Sequence, residues 1–227
     1  MTEGVKCAVM IPTKGEMKTK TVESLIHMLF YNGTVGIGTG VIFAEGTLLT
    51  TVRSRLIAEA LTKDYSHVFF LDSDMVFPPD MIQKLLDTKK SVVCAVAKVR
   101  GGKNFNVFTR DKPTGKYVPH TEVPDQLIEI DATGCACILM ERAVLEEIME
   151  AKRLATQEWN GLSEKYEGNN MVVKEVLENL KHDRLLFNAI GEKSEDILMC
   201  EYIKSCGYSI WAEGSLKLGH INDIEIR

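Results

Sequence analysis

The sequence predicts an α/β fold: a mostly parallel, mixed sheet with helices on both faces. Two observations predict it. Apolar runs alternate with helical patterns along the first hundred residues, the order expected when strands are joined by crossover helices. Two of those runs, the continuous apolar Val68 to Leu71 and the β-branched Ser91 to Val99, read as buried strands of the kind a sheet covered on both faces contains. A third observation gives the fold a working edge. Asp72-Ser73-Asp74 follows directly on Val68 to Leu71, and ligands of open α/β sheets bind at the carboxyl ends of the strands.

Taken in order, Val5 to Pro12 reads as a first strand ending at the loop Thr13-Lys14-Gly15. Thr19 or Thr21 can cap a helix carrying Val22, Leu25, Ile26 and Leu29 at helical spacing. A strand is expected from Val35 to Phe43. A helix from Ser54 to Leu61 follows, with Leu56, Ile57, Ala60 and Leu61 on one face, before the strand that leads to Asp72. A helix through Met81, Ile82, Leu85 and Leu86 then leads to Ser91–Val99. The polar stretch from Arg100 to Pro124 reads as long loops or an antiparallel excursion. It is followed by a short strand, Leu127 to Ala132, that makes the sheet mixed. Thr133 to Met140 is read as leading into a helix from Arg142 to about Arg153, and Val172 to Lys181 as another helix. Ser194 caps a helix containing Ile197, Leu198, Tyr202 and Ile203, which Gly207 ends before a strand from Tyr208 to Ala212.

The chain has 227 residues, 45% of them hydrophobic, enough for one full core, and a single domain over 1–227 is expected. A net charge of −5 argues against a general nucleic-acid or membrane-surface binder. No apolar stretch is long enough to span a bilayer, and Met1-Thr2-Glu3-Gly4 lacks the layout of a signal peptide, so a cytoplasmic location is expected. The six cysteines, Cys7, Cys94, Cys135, Cys137, Cys200 and Cys206, form no Cys-x-x-Cys pair and are read as reduced thiols, mostly in the core.

Asp72 and Asp74 stand two residues apart. If the strand continues, both point to one side, where two like charges disfavour each other unless a cation lies between them. A divalent metal answers that, although Asp, Ser and the following Pro78, Pro79 and Asp80 also suit a turn. Glu195 and Asp196 open a helix, where acids are favoured by the macrodipole, so capping alone would account for them.

The chain resembles a GT-A fold glycosyltransferase, of the family 2-like kind with a DxD motif. The likeness rests on Val9-Met10-Ile11-Pro12-Thr13, Arg53-Ser54-Arg55-Leu56, Asp72-Ser73-Asp74, Thr133-Gly134-Cys135, Ser194-Glu195-Asp196 and Leu218-Gly219-His220, in that order. Residues 152–188 match the pattern poorly and are expected to be a helical insertion. The resemblance implies a Rossmann-like GT-A sheet and transfer of a sugar from a UDP- or GDP-sugar donor to a glycan or other hydroxyl acceptor. It implies a metal held by Asp74 and by His220 from the C-terminal loop, with Asp72 on the ribose or on metal-bound water. Mn²⁺ is preferred, because it accepts mixed imidazole and carboxylate ligands, and Mg²⁺ is the alternative. Pro12, Thr13, Lys14, Arg53, Arg55, Ser73 and Gly134 join Asp72 as donor-binding residues, Glu195 faces the acceptor, and Asp196 is the base of an inverting displacement. Lys98 to Lys103 could flank a phosphate-bearing acceptor or be a solvated loop.

Two other readings fit parts of the chain. Phe69 to Val76 also resembles the nucleophile motif of haloacid-dehalogenase-type phosphohydrolases, with Asp72 as nucleophile. That motif usually sits on the first strand of its fold, whereas strand-helix pattern precedes it here. A non-catalytic nucleotide-sugar-binding protein would keep the site without turnover.

Overall fold

The structure is a computed structural model and describes residues 4–99, 101–151 and 194–221. The expected helix at Val172–Lys181, the poorly matched 152–188 and Arg100 lie outside the described residues. The chain runs β1 (Lys6–Thr13), α1 (Thr19–Thr34), β2 (Gly38–Glu45), α2 (Leu49–Leu61), β3 (His67–Leu71), β4 (Met75–Val76), α3 (Met81–Asp87) and β5 (Val92–Ala97). Next come β6 (Val107–Arg110), β7 (Tyr117–Pro119), β8 (Leu127–Ile130), β9 (Ala132–Thr133) and β10 (Cys137–Glu141). A helix over 142–151, here α4, follows, and then α5 (Glu195–Ser205) and β11 (Ile210–His220).

Among the described residues the main sheet has eight strands in the order β2-β1-β3-β10-β5-β11-β4, with β8 on the other edge of β11. The pairs β1–β2, β1–β3 and β5–β11 are parallel, whereas β10 lies antiparallel between β3 and β5. The sheet is therefore mixed at its centre and not only at an excursion. The helix expected from Arg142 does begin there, but the sequence reading gave Cys137 to Met140 no strand of its own, and that is corrected here. All four side chains are buried, and a four-residue apolar run has no period long enough to separate a strand from the start of a helix. The polar stretch does form an antiparallel excursion, β6 with β7, and with β9 it makes a small three-stranded sheet, β7-β6-β9.

Strand alternation splits the core into two layers. Met10, Phe70, Cys94 and Ile138 face α2, α4 and α5, where Leu56, Leu145 and Met199 are also buried. Val9, Phe69, Leu71 and Val93 face α1 and α3 on the opposite side, with Met28, Met81 and Leu85. Burying each of these larger side chains contributes about 1.5–3 kcal/mol relative to exposure, so residues on both faces of β1, β3 and β5 help fix their register.

Helix α1 corrects the sequence reading in two ways. It starts after Lys18 with no side-chain cap, so neither Thr19 nor Thr21 serves as one. Its buried face carries Thr21, Ser24, Leu25, Met28 and Asn32, leaving Val22 and Ile26 exposed. The stripe is rotated because the Ser24 hydroxyl accepts the Phe77 backbone N–H and so belongs inside. Ser194 does cap α5, accepting the Ile197 N–H, and Gly207 at φ +87° follows its end. β11 runs on to His220, well past Ala212, so His220 is the last residue of a strand rather than part of a loop.

Candidate functional site

The carboxyl ends of β1 and β3 open beside the α1 N-terminus into a cleft of about 540 Å³, lined by Pro12, Thr13, Lys14, Lys18, Asp72, Ser73, Asp74 and His220, among others. Each wall has a local cause. The Thr13 hydroxyl donates to the Glu16 carbonyl and accepts the Gly15 N–H, folding the loop after β1 back on itself. Gly46, past the end of β2, donates its N–H to the Thr13 carbonyl. A Cβ on Gly46 would lie 2.7 Å from Val52 Cγ2, so only glycine lets α2 approach this closely.

The Asp72–Asp74 segment is a turn between β3 and β4, not a continuation of the strand. It is pinned at three points: the Asp72 N–H donates to the Ala136 carbonyl, the Ser73 carbonyl accepts the Lys18 N–H, and the Asp74 carbonyl accepts the Ile221 N–H. β4 pairs antiparallel with the end of β11, Met75 opposite His220. Asp74, 9% exposed, and His220 therefore come to one cleft from adjacent strand ends. His220 Nδ1 lies 2.6 Å from the Lys98 carbonyl. A carbonyl only accepts, so Nδ1 carries the proton and Nε2 of the neutral ring keeps its lone pair.

Beside the cleft, Arg53 of α2 is 2% exposed and does not line it. Its Nη2 donates to Asp72 Oδ1 at 3.3 Å, while Nη1 donates to Asp196 Oδ1 at 2.5 Å and Glu195 Oε1 at 3.2 Å. Burial alone would lower the guanidinium's pKa, but the Cys135 sulfur and the carboxylates of Asp196, Asp72 and Glu195 outweigh it and raise the pKa further. Like-charge repulsion at Asp72 and Asp74 pointed to a divalent cation, and here the chain itself supplies a cation to Asp72. Burial pushes the Cys135 thiol well above its ordinary range, with Asp196 adding to the effect. Asp196 Oδ2 lies 3.6 Å from the position of the Cβ that Gly134 lacks.

The structure thus brings Pro12, Thr13, Lys14, Asp72, Ser73, Asp74 and His220 to one cleft, and gathers Arg53, Gly134, Glu195 and Asp196 in a cluster joined to it through Asp72. Arg55 is exposed and turned outward, toward the Glu45 carbonyl at 3.4 Å, because two residues along an α-helix turn about 200°, to nearly the opposite face from Arg53. Sequence reasoning missed Glu16, Met17, Lys18, Gly46, Thr47, Leu49 and Val52 in the lining. It also missed Asn106, buried next to Gly134, whose Oδ1 accepts the Ala97 N–H.

Among the described residues no three His, Cys, Asp or Glu side chains gather closely enough to form a metal cage. Asp74 and His220 bring a carboxylate and an imidazole to the same cleft, donor types that a divalent transition-metal ion accepts. No helix among the described residues is long and apolar enough to cross a membrane.

No protein-family model and no curated protein matches the chain. Solved structures do. The crystal structure of A197 from STIV is similar over 96% of this chain and 87% of its own, at 18% identity and a TM-score of 0.59. A Drosophila beta-1,4-galactosyltransferase 7 mutant, in complex with manganese, UDP-Gal and xylobiose, is similar over 96% of this chain and 71% of its own, at 11% identity and a TM-score of 0.51. At these identities the likeness establishes architecture alone: the chain has a GT-A-like α/β fold.

Proposed function

We propose that the protein is a metal-dependent glycosyltransferase that moves a sugar from a nucleoside-diphosphate-sugar to an acceptor hydroxyl. The observation that carries this reading is the meeting of Asp72, Asp74 and His220 with the end of β1 in one cleft. The galactosyltransferase neighbour, whose crystals hold manganese and UDP-Gal, lends support. In this reading Asp74 and His220 Nε2 would hold a Mn²⁺ ion, with Mg²⁺ the alternative. When bound, the ion offsets the charge that develops on the departing diphosphate.

The chain's own residues divide the remaining work. Pro12, Thr13 and Ser73 border the nucleotide, and Lys14 adds positive charge beside the diphosphate. Asp72 binds the ribose or a metal-bound water through the oxygen that Arg53 does not hold. Asp196 accepts the proton of the acceptor hydroxyl at Oδ2, the oxygen near Gly134, because Oδ1 is bound to Arg53. The C–O bond to the sugar then forms as the bond to the diphosphate breaks, with inversion. Glu195 orients the acceptor. A phosphohydrolase using Asp72 as nucleophile is less favoured, because that carboxylate is held by a buried guanidinium.

The test is Asp196→Asn in a transfer assay over a panel of nucleotide-sugars. Transfer at saturating donor falls by about 10²- to 10⁴-fold, the contribution of a positioned base, while nucleotide still binds, weakened by no more than about tenfold. Undiminished transfer would remove Asp196 from this role.

A further inference from the structure

We propose that Arg53 is a positioning residue that couples the nucleotide cleft to Asp196, so that a ligand settling against Asp72 is felt at the carboxylate on α5; the proposal rests on the nucleotide-sugar reading above. Asp72 lines the cleft, whereas Arg53 and Asp196 do not. One guanidinium spans the two sides, with Nη2 on Asp72 and Nη1 shared by Asp196 and Glu195. The guanidinium is planar and stiff, so its two ends move as one body. The contact to Asp72, at 3.3 Å, is the longest of the three and that to Asp196, at 2.5 Å, the shortest. Of the three acids on the fork Asp72 alone lines the cleft, so it is the partner a ligand there would draw away first. At 2% exposure the fork is poorly screened by salt, so a change at one end reaches the other.

The coupling has a definite sign. Asp196 competes with Asp72 for the fork. Weakening Asp196 as an acceptor lets the fork close on Asp72, which then serves a cleft ligand less well. Asp196→Asn should therefore weaken nucleotide binding, although the Asp196 side chain does not line the cleft. A lysine at position 53 keeps the charge but has no fork to bridge both sides.

The experiment is calorimetric titration with Mn²⁺ plus whichever of UDP, GDP, ADP or CDP binds best, on wild type, Asp196→Asn, Arg53→Lys and the double variant. Asp196→Asn is expected to raise Kd by roughly three- to tenfold in wild type and by less than about twofold in the Arg53→Lys background, a non-additivity typical of groups in one network. Glu201→Gln, on the same helix but hydrogen-bonded to Tyr117, should leave Kd unchanged. Equal effects in both backgrounds would mean simple through-space charge. No effect in wild type would mean no coupling. Either outcome overturns the proposal and leaves the transferase reading standing, whereas no nucleotide binding to wild type at all would overturn both. Should Arg53→Lys fail to fold, Asp72→Asn replaces it in the cycle, and additive effects there would overturn the proposal equally.

Discussion

His220 owes its orientation to a single hydrogen bond. With Nδ1 committed to the Lys98 carbonyl, Nε2 is the ring nitrogen left for a metal, and ring-orienting partners of this kind are worth roughly tenfold or more in metal affinity. His220→Phe keeps the ring's bulk and removes the lone pair. It should lower Mn²⁺-dependent nucleotide affinity by at least about tenfold in calorimetry while leaving the melting temperature of the free protein nearly unchanged. His67, at the start of β3 opposite Glu141, behaves differently. Burial lowers its pKa below the ordinary 6.5 more than Glu141 raises it, so the folded state favours the neutral ring. Its contribution is then present above pH 6.5 and lost as pH falls through the lower folded value. The melting temperature should drop as pH falls below 6.5, and His67→Gln should flatten that drop; an identical slope in the variant would count against the assignment. At this scale short motifs singled out Asp72, Asp74 and His220, which lie in the cleft, and Asp196, which lies beside it on Arg53, but the sequence could not reveal the fate of Arg53. An arginine on a helix reads as solvated, and the acids that enclose it on α5 lie 142 and 143 residues away.

At the scale of elements, the strand-helix alternation up to β5 was legible because each run was long enough to have a period. β10 was not, and it is the strand on which the centre of the sheet depends. Leu139 is 1% exposed between β3 and β5. Leu139→Ala should therefore cost about 2–5 kcal/mol, as large-to-small changes in a packed core do, read from urea denaturation. A loss below 1 kcal/mol would place β10 at an edge. The face of α1 was misjudged for a related reason. Thr21 and Ser24 count as polar in any pattern, yet Ser24 is buried because it has a backbone partner in Phe77. β4 and the end of β11 were also invisible to pattern. Their two-residue ladder joins Asp74 to His220 and exists only once the chain has folded.

For the molecule as a whole, the two-layered core accounts for the cysteines. Five of the six thiols are buried and Cys206 is half-buried, all of them free. Burial pushes Cys94 and Cys200 up to about 12, which keeps them protonated near neutrality. A thiol reagent at pH 8 should modify at most Cys206 in the native protein and all six after unfolding; rapid native reaction of several thiols would contradict the packing described. The fold was legible from the alternation of apolar runs, and the site only as separate motifs, since their meeting depends on long-range pairing. The central claim is that the cleft at the ends of β1 and β3 binds a nucleotide through a metal held by Asp74 and His220. The most direct test is the melting temperature with UDP, GDP, ADP and CDP, each with and without Mn²⁺, in wild type and Asp74→Ala, because a ligand of the folded state raises it by mass action. The account predicts a shift for one nucleotide that needs Mn²⁺ and disappears in Asp74→Ala; no shift with any nucleotide, or one that Asp74→Ala leaves intact, would contradict it.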